Sequence, residues 1–392
     1  MIAFDRAIAL IGECAVPLAS EMVPLDRAAG RRLAADVVAR IASPRHTASA
    51  MDGYAVARGE VTPDSALQVV GEARPGQAFG GRLEPGQAVR IFTGGALPEG
   101  ADCVVMQEYA ERDGDRVRFR EGHGPARHVR EQASDFDAGA VLLPAGRRLD
   151  PQALVAAAAA DVAELCVHCR PRLALVATGD ELAEPGEATN SSHAIPDSIT
   201  PALAALVERE GGAVVARHRA VDDLPALERL AGELLTSTDL VVVTGGASVG
   251  ERDFAKPMFA AHGLALAFDK VAIKPGRPVW FGRAGEALVL GLPGNPTSAM
   301  VTARLLLVPL LARLQGGHGT HRWRKLPLAA TLGTTGNRET FARASWEEDG
   351  LVPIDNQDSG VQGGFARADW LIRCPPGQGE LPVGTMVPAL AF

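Results

Sequence analysis

A charge-free, β-branched run that enters a glycine-rich turn most constrains how this chain can fold. It lies at residues 240–253 and reads LVVVTGGASVGERD. Residues 240–244 predict a buried strand, because such strands are continuous apolar runs. The turn that follows contains Gly245, Gly246, Ser248 and Gly250. Glycines let backbone N–H groups approach a ligand closely, so this turn fits either an anion-binding loop or a plain tight turn.

Apolar strands and amphipathic helices alternate through residues 171–315, which predicts a doubly wound, mostly parallel sheet. Strands are predicted at 172–177, 213–220, 239–244, about 264–273 and 286–291, with helices near 198–210, 224–236, 253–262 and 297–315. Ligands of such sheets bind outside the carboxyl ends of the strands. The predicted strand ends carry carboxylates, lysines and proline turns, at Glu181, Asp222, Asp223, Lys270, Lys274, Pro293 and Pro296.

The acidic side chains at these strand ends come from three different loops. Glu181, Asp253 and one residue of the pair Asp222–Asp223 predict a divalent metal, because carboxylates beside phosphates repel unless a cation lies between them. Lys270 and Lys274 bracket a predicted strand end and suit a polyanion. The chain has no GxxxxGK[ST] motif, which disfavours P-loop hydrolysis. The residues alone therefore predict a phosphorylated small molecule, a metal and electrostatic positioning.

Composition divides the rest of the chain into three further domains around the α/β domain, which is placed at 170–316. Residues 1–42 with 139–169 predict a helical and extended stalk, with one helix at 3–15 and another at 150–166. The second helix has Asp150 as its N-cap and Pro151 at its first position. Short alternating strands predict a small β domain at 43–138 and a C-terminal β domain at 317–392, which begins in a glycine-rich linker.

Charge and composition disfavour several classes of protein. The chain of 392 residues has 39 basic and 47 acidic residues, a net charge of −8, and no Lys/Arg-rich run, so nucleic-acid binding is not expected. We find no stretch of about 18 apolar residues and expect no membrane span. The five cysteines fit a reducing compartment, so we expect the cytoplasm. The Cys166–Cys169 pair reads as small core residues, with zinc or redox chemistry as the alternative.

Six motifs, in order, resemble the MoeA-type molybdopterin molybdenumtransferase family, which includes the C-terminal part of gephyrin. They are SAMDGYA, FTGGALPEGADCVVMQE, TGDEL, GGASVGERDF, IKPGRP and GLPGNP, and the resemblance covers nearly the whole chain. It implies a homodimer of elongated four-domain protomers, with one domain like the molybdopterin adenylyltransferase. The implied reaction is Mg²⁺-dependent insertion of molybdate into adenylated molybdopterin, which releases AMP and gives molybdenum cofactor. Molybdopterin adenylyltransferase and downstream molybdoenzyme factors are the implied partners.

The resemblance also implies roles for individual residues. Acidic residues at the nucleotide end, implied to be catalytic and metal-binding, are Glu181, Asp223 and Asp253. Substrate-binding lysines and the prolines that shape the adjoining loop are Lys270, Lys274, Pro293 and Pro296. Residues that a second protomer contributes across the dimer cleft are Asp52, Thr93 and Asp135. Arg343 and Ser359 resemble the family's molybdate site, and guanidinium and hydroxyl donors suit an oxyanion.

Two positions depart from the family pattern. Residues 131–134 read EQAS where the family usually has an Arg/Gly/Glu/Asp run, and Ile199 stands where it usually has Asn. Ile199 is expected to remove hydrogen-bonding groups near the pterin end of the site. Together with Ser134 it favours a second hypothesis, a non-catalytic scaffold that holds molybdopterin for a partner. A third hypothesis is a nucleotide-processing enzyme of the related adenylyltransferase fold, which would turn over ATP.

Overall fold

The computed structural model of the chain describes residues 1–62, 65–245 and 254–392. Within these described residues, the strands form three six-stranded sheets and four two-stranded ribbons. Glycine loop residues 246–253 and residues 63–64 lie outside the description. The predicted site residues Gly246, Ser248, Gly250 and Asp253, and the start of the helix predicted at 253–262, therefore also lie outside it.

The chain begins with helix α1, Phe4–Cys14, as predicted for residues 3–15. Its buried residues are Phe4, Ala7 and Ile11, at the three- and four-residue spacing of an amphipathic helix. Two short strands follow, β1 (Ser20–Pro24) and β2 (Val37–Val38).

The region predicted as a small β domain contains one six-stranded sheet and a two-stranded ribbon. The strands are β3 (Ala48–Ser49), β4 (Gly53–Val56), β5 (Ala66–Ala73), β6 (Gln87–Ile91), β7 (Cys103–Met106), β8 (Ala110–Asp113), β9 (Arg116–Phe119) and β10 (Val129–Arg130). The sheet order is β7-β4-β6-β5-β9-β8, and β3 pairs with β10 beside it. The short apolar alternations of the sequence thus do form strands here.

The chain then returns to its first strands through β11 (Val141–Leu143), helix α2 (Pro151–Ala159) and β12 (Glu164–His168). β12 pairs antiparallel with β1, and β11 with β2, over one shared apolar core. Asp150 caps α2 as predicted, because its carboxylate accepts a hydrogen bond from the Ala153 N–H at 2.8 Å. The prediction that this helix continues to residue 166 is wrong, since β12 pairs with a strand about 140 residues earlier.

The central α/β region is built from nine strands and three helices among the described residues. They are β13 (Arg172–Thr178), β14 (Leu182–Ala183), β15 (Ile195–Pro196), α3 (Thr200–Arg209), β16 (Ala213–Ala220), α4 (Leu224–Ser237), β17 (Leu240–Thr244), β18 (Ala265–Phe268), β19 (Ile273–Lys274), β20 (Trp280–Ala284), β21 (Ala287–Leu292) and α5 (Pro296–Leu314). Its main sheet has the order β16-β13-β17-β21-β20-β18. The first four of these strands are mutually parallel, as the doubly wound prediction requires.

The other edge of this sheet differs from the prediction. β20 was not predicted, and it pairs antiparallel with both β21 and β18. The single strand predicted at 264–273 is wrong: β18 ends at Phe268, and β19 joins a different sheet. The helix predicted at 253–262 is, in its described part, a 3₁₀ segment at Pro257–His262.

Helix α5 is mostly apolar and lies in the core. It is 19 residues long, which is enough to cross a membrane by length and composition, so the expectation of no such stretch is corrected. However, 78% of its apolar window is buried inside the protein. The helix therefore serves as a core element of the fold. Its hydrogen bonds change to the π pattern over Ala303–Leu307.

The C-terminal region forms the third six-stranded sheet. Its strands are β22 (Arg324–Pro327), β23 (Glu339–Glu347), β24 (Gly350–Pro353), β25 (Trp370–Cys374) and β26 (Met386–Ala391). β19 pairs parallel with β23, so the α/β region contributes one edge of this sheet. The segment before β22, predicted to be a linker, is packed against the domains: the His321 ring stacks on Phe4, with 5.6 Å between ring centroids.

The surroundings of His321 make the stability of the fold depend on pH. Burial, with Arg304 nearby, lowers the pKa of His321 from 6.5 to about 4. As the pH falls, the unfolded chain therefore takes up this proton before the folded chain does. The contribution of this residue to the free energy of unfolding is fully present above about pH 6.5. It falls by up to about 3 kcal/mol as the pH decreases from 6.5 to 4.

Urea unfolding followed across this pH range measures the effect. In His321→Phe, which keeps an aromatic ring on Phe4, we expect the pH dependence between 6.5 and 4 to become shallower. Exposed His193→Gln is the matched control and should behave as wild type. An unchanged slope in His321→Phe would contradict the assignment.

Candidate active site at the strand ends

Three parallel strands end side by side with almost no side chain between them. Gly245, directly after β17, has φ +92°, and a Cβ there would lie 2.4 Å from the Thr178 carbonyl oxygen at the end of β13. Gly294, after β21, approaches so closely that its Cβ would lie 3.3 Å from the Gly245 Cα. Only glycine fits at position 245, and the floor there is formed mainly by backbone atoms, with the Thr178 hydroxyl beside them.

Carboxylates lie on the loops at this edge. A Cβ on Gly179 would lie 2.7 Å from Oε2 of Glu181, so the Glu181 carboxylate folds back over the end of β13 while its residue stays exposed. Asp180 accepts a hydrogen bond from the Asp222 N–H at 3.0 Å, which joins the loops after β13 and β16. This Asp180–Asp222 link was not predicted.

Asp223, a predicted metal ligand, also has a structural role as a helix cap. It is the N-cap of α4, and its Oδ1 accepts from the Ala226 N–H at 2.8 Å. In the described part of the chain, no three His, Cys, Asp or Glu side chains come close enough together to hold a metal ion by themselves. The predicted trio of Glu181, Asp223 and Asp253 stays a prediction, because Asp253 is outside the described residues.

The loop after β21 is fastened to the C-terminal domain. Asn295 is the N-cap of α5, as predicted, but its side chain makes no capping bond. Its Nδ2 instead donates to the Ser359 hydroxyl at 3.1 Å, and buried Thr297 donates to the Val361 carbonyl at 3.0 Å. These two bonds bring predicted site residues Pro293, Pro296 and Ser359 to one junction between domains.

Arg343 is buried, and its guanidinium holds the loop before Ser359 in place. It is 1% exposed, and its guanidinium donates to the Gln357 side chain and to the Asn356 and Asp358 carbonyls at 3.2–3.3 Å. Burial lowers its pKa, partly offset by Asp358. These hydrogen bonds position the loop that presents Ser359, and the expectation that Arg343 binds molybdate stays a prediction.

The two predicted lysines lie outside the main sheet. Lys274 is exposed at the end of β19, which belongs to the C-terminal sheet, and Lys270 is half-buried two residues after β18. The prediction that they bracket the end of one parallel strand is therefore wrong. The backbone of Lys270 accepts a hydrogen bond from the Ile2 N–H at 3.0 Å, which fixes this connection against the start of the chain.

A second group of predicted residues lies in the small β domain. Asp52 accepts hydrogen bonds from both the backbone N–H and the hydroxyl of Thr93, each at 2.7 Å. These two bonds lower the pKa of Asp52, and Arg90 contributes as well. Arg90 stacks on Tyr54 and Phe92, a cluster that was not predicted.

Predicted Asp135 is exposed on a separate turn, held by its N–H to the Ser43 carbonyl at 3.0 Å. Among the described residues, no hydrogen bond or ion pair joins Asp52, Thr93 or Asp135 to the strand-end loops of the same chain. The structure thus pairs Asp52 with Thr93 but keeps this group apart from the strand ends.

Comparison with known proteins covers the whole length of the chain. Family models match at residues 2–160 (MoeA N-terminal region, domains I and II), 174–313 (probable molybdopterin binding domain) and 325–392 (MoeA C-terminal region, domain IV). A molybdopterin molybdenumtransferase of Haemophilus influenzae is 32% identical over 99% of this chain and 98% of its own length. The chain belongs to the MoeA family.

Further relatives agree with this assignment. Molybdopterin molybdenumtransferase 2 of Mycobacterium tuberculosis is 35% identical over 82% of both chains. The solved structure of a molybdopterin biosynthesis MoeA protein from Pyrococcus horikoshii OT3 superposes with a TM-score of 0.85 at 25% identity, over 100% of both chains. The predicted fold class, an α/β domain flanked by β domains and a stalk, is confirmed.

One departure from the MoeA pattern proves to be a core residue. Ile199 is 7% exposed and packs in the central apolar cluster under α3. Asp197 supplies the polar contacts here, accepting from the Ile199 and Thr200 N–H groups at 3.1 and 3.0 Å. The expectation that Ile199 removes hydrogen-bonding groups near the pterin end stays a prediction. Ser134 is exposed on a turn.

The backbone floor of this MoeA-family site can be tested at Gly245. Gly245→Ala adds a Cβ both at positive φ and against the Thr178 carbonyl, so we expect it to cost roughly 2–5 kcal/mol of stability. The matched control Gly285→Ala has φ +56° but nothing within 4 Å of the new Cβ, and should cost only about 1–2 kcal/mol. Urea unfolding measures both, and equal losses would mean that the close contact does not matter.

Proposed function

We propose that this chain is a molybdopterin molybdenumtransferase that inserts molybdate into adenylated molybdopterin, with release of AMP, in molybdenum cofactor biosynthesis. The single observation that carries the proposal is the match to enzymes of that name over 99% of the chain. The geometry agrees with an anionic substrate: the glycine floor at Gly245 and Gly294 admits a phosphate close to the backbone. Helix α5 begins at this edge, and its N-cap side chain leaves the helix N-terminus uncapped.

The implied Mg²⁺ fits the chemistry of the residues present. Magnesium is usually held by one or two carboxylates together with substrate phosphates and water, not by a full protein cage. Exposed Glu181 and the free oxygen of Asp223 are the described carboxylates that would hold it. When bound, the ion neutralises phosphate charge and so assists departure of AMP.

The chain's own residues perform the remaining tasks in this proposal. Exposed Lys274 attracts the substrate phosphates. Ser359, fixed by its hydrogen bond to Asn295, presents a hydroxyl beside the pterin end of the crevice, where it donates to the oxyanion. Arg343 positions Ser359 by holding the loop before it. The scaffold alternative rests on Ile199, which lies in the core, and on Ser134, which is exposed on a turn.

We expect Glu181→Gln to lower AMP release at saturating substrate by about 100-fold, since it removes one charged metal ligand. Residual activity should need a higher Mg²⁺ concentration. The assay combines purified protein, adenylated molybdopterin, molybdate and Mg²⁺, and follows AMP and molybdenum cofactor. Exposed Glu187→Gln, on the same loop, is the control and should retain full activity. Tight binding of the pterin without AMP release by the wild type would favour the scaffold alternative.

We further propose that the protein is a homodimer in which the small β domain of one protomer completes the site of the other. Asp52 and Thr93 have no bond to the strand ends of their own described chain, which leaves them available to a partner. The stalk offers an apolar surface for this contact. Val38 and Val141 are cross-strand partners on β2 and β11 and are 44% and 55% exposed.

Analytical ultracentrifugation tests the dimer. The wild type is expected at twice the 40.9 kDa mass of one chain. Val38→Ser with Val141→Ser should weaken self-association at least about 10-fold, because apolar area leaves the interface. Val383→Ser, equally exposed at 62% but in the C-terminal domain, is the control. A monomeric wild type that is active at the same concentration would exclude the shared site.

A further inference from the structure

A cavity of about 810 Å³ lies away from the strand ends, between the stalk, helix α5 and the segment before β22. Its α5 wall includes Val308 and Ala312, which lie 12 or more residues beyond the helix start at Pro296, or roughly 20 Å along the axis. The cavity therefore opens at the other end of α5 from the proposed active site, and nothing in the proposed reaction uses it.

Positive charge dominates the lining. Five arginines face two carboxylates, Asp150 and Glu210, and the arginines are Arg32, Arg147, Arg148, Arg304 and Arg322. Arg147 pairs with Asp150 at 2.7 Å. Glu210 is shared between Arg148 at 4.0 Å and Arg209, outside the lining, at 3.2 Å.

Three of the arginines have no carboxylate partner in the described part of the chain. Arg304 donates to the Ala391 carbonyl at 2.8 Å, and Arg32 to the Gly146 carbonyl at 3.3 Å. Arg322 is exposed and makes neither a hydrogen bond nor an ion pair with any described residue. Burial and the neighbouring Arg148 and Arg322 lower the pKa of Arg32, and Glu210 offsets this only in part, so like charges are held together here. An anion would relieve that repulsion.

The cavity wall is also closely fitted. Gly317 lies on the Arg32 side chain, where a Cβ would come within 3.0 Å of the guanidinium carbon. A Cβ on Gly319 would lie 2.5 Å from the Arg313 Cγ. Both glycines let the segment before β22 pass directly over arginine side chains, so the pocket is formed without a ligand.

We propose that this cavity binds a small polyanion with at least two linked phosphate groups, at a site separate from the catalytic crevice. Three guanidinium groups without a carboxylate partner match the three to four negative charges of a diphosphate, and their planar forks suit phosphate oxygens. The concave shape and the net charge of −8 on the chain argue against a long nucleic acid.

Isothermal titration with inorganic pyrophosphate, on the full chain without Mg²⁺ at low salt, tests the proposal. Arg322→Gln and Arg32→Gln should each weaken pyrophosphate binding at least about 5-fold, as loss of one of three cations predicts. Arg27→Gln, an exposed arginine of the same stalk outside the cavity, is the matched control. Arg27→Gln should bind as the wild type does. Lys274→Gln separates the two sites, because it should weaken only pyrophosphate held at the catalytic crevice and leave the Arg322-dependent binding unchanged.

Orthophosphate and sulfate should bind at least about 10-fold more weakly than pyrophosphate. Absence of pyrophosphate binding, equal affinity for sulfate, or loss of binding in Lys274→Gln but not in the cavity variants would each overturn the proposal. Arg322→Gln should retain AMP release with adenylated molybdopterin, so a failed cavity and a failed catalytic assignment give different results.

Discussion

The contact of backbone on backbone at the ends of β13, β17 and β21 is the constraint from which the rest of the site follows. These strands are buried along nearly their whole length, so their registers are fixed and their ends must meet at one edge. Where they meet, Gly245 leaves no room for a side chain beside Thr178. An empty floor of peptide groups results, and all specific side chains have to come from loops around it.

Helix α5 connects this edge of the sheet to the core and to the arginine cavity. Its N-terminus forms part of the crevice, its middle is core, and its far end lines the arginine cavity. Asn295 and Thr297 tie its first turn to the C-terminal domain, whose loop is itself held by Arg343. A change in the fit of that loop would therefore reach the crevice through two hydrogen bonds, without any movement of the sheet.

The sequence predicted what local patterns determine. β13, β16 and β21 were placed within a residue or two because each is an apolar or alternating run bounded by turn residues, and Asp150 caps α2 as its residue type favours. The wrong secondary-structure predictions concern segments that pair with strands far away in the sequence. Residues 164–168 continue an alanine-rich run and read as helix, yet they pair with Ser20–Pro24. Residues 264–273 were predicted as one strand, yet β19 finds its partner, β23, about 65 residues later.

Side-chain roles were harder to predict than strands, because a residue type does not reveal which of its donors are already satisfied. Arg343 and Arg322 are both arginines, and the residue type alone does not distinguish their roles. The first is 1% exposed with its guanidinium bonded to carbonyls, so it can organise a loop but cannot receive an anion without leaving its partners. The second has no partner in the described chain and lies at a cavity beside other cations. The arginine chosen from the motifs thus holds a loop in this structure, and one outside the motifs is open to a ligand.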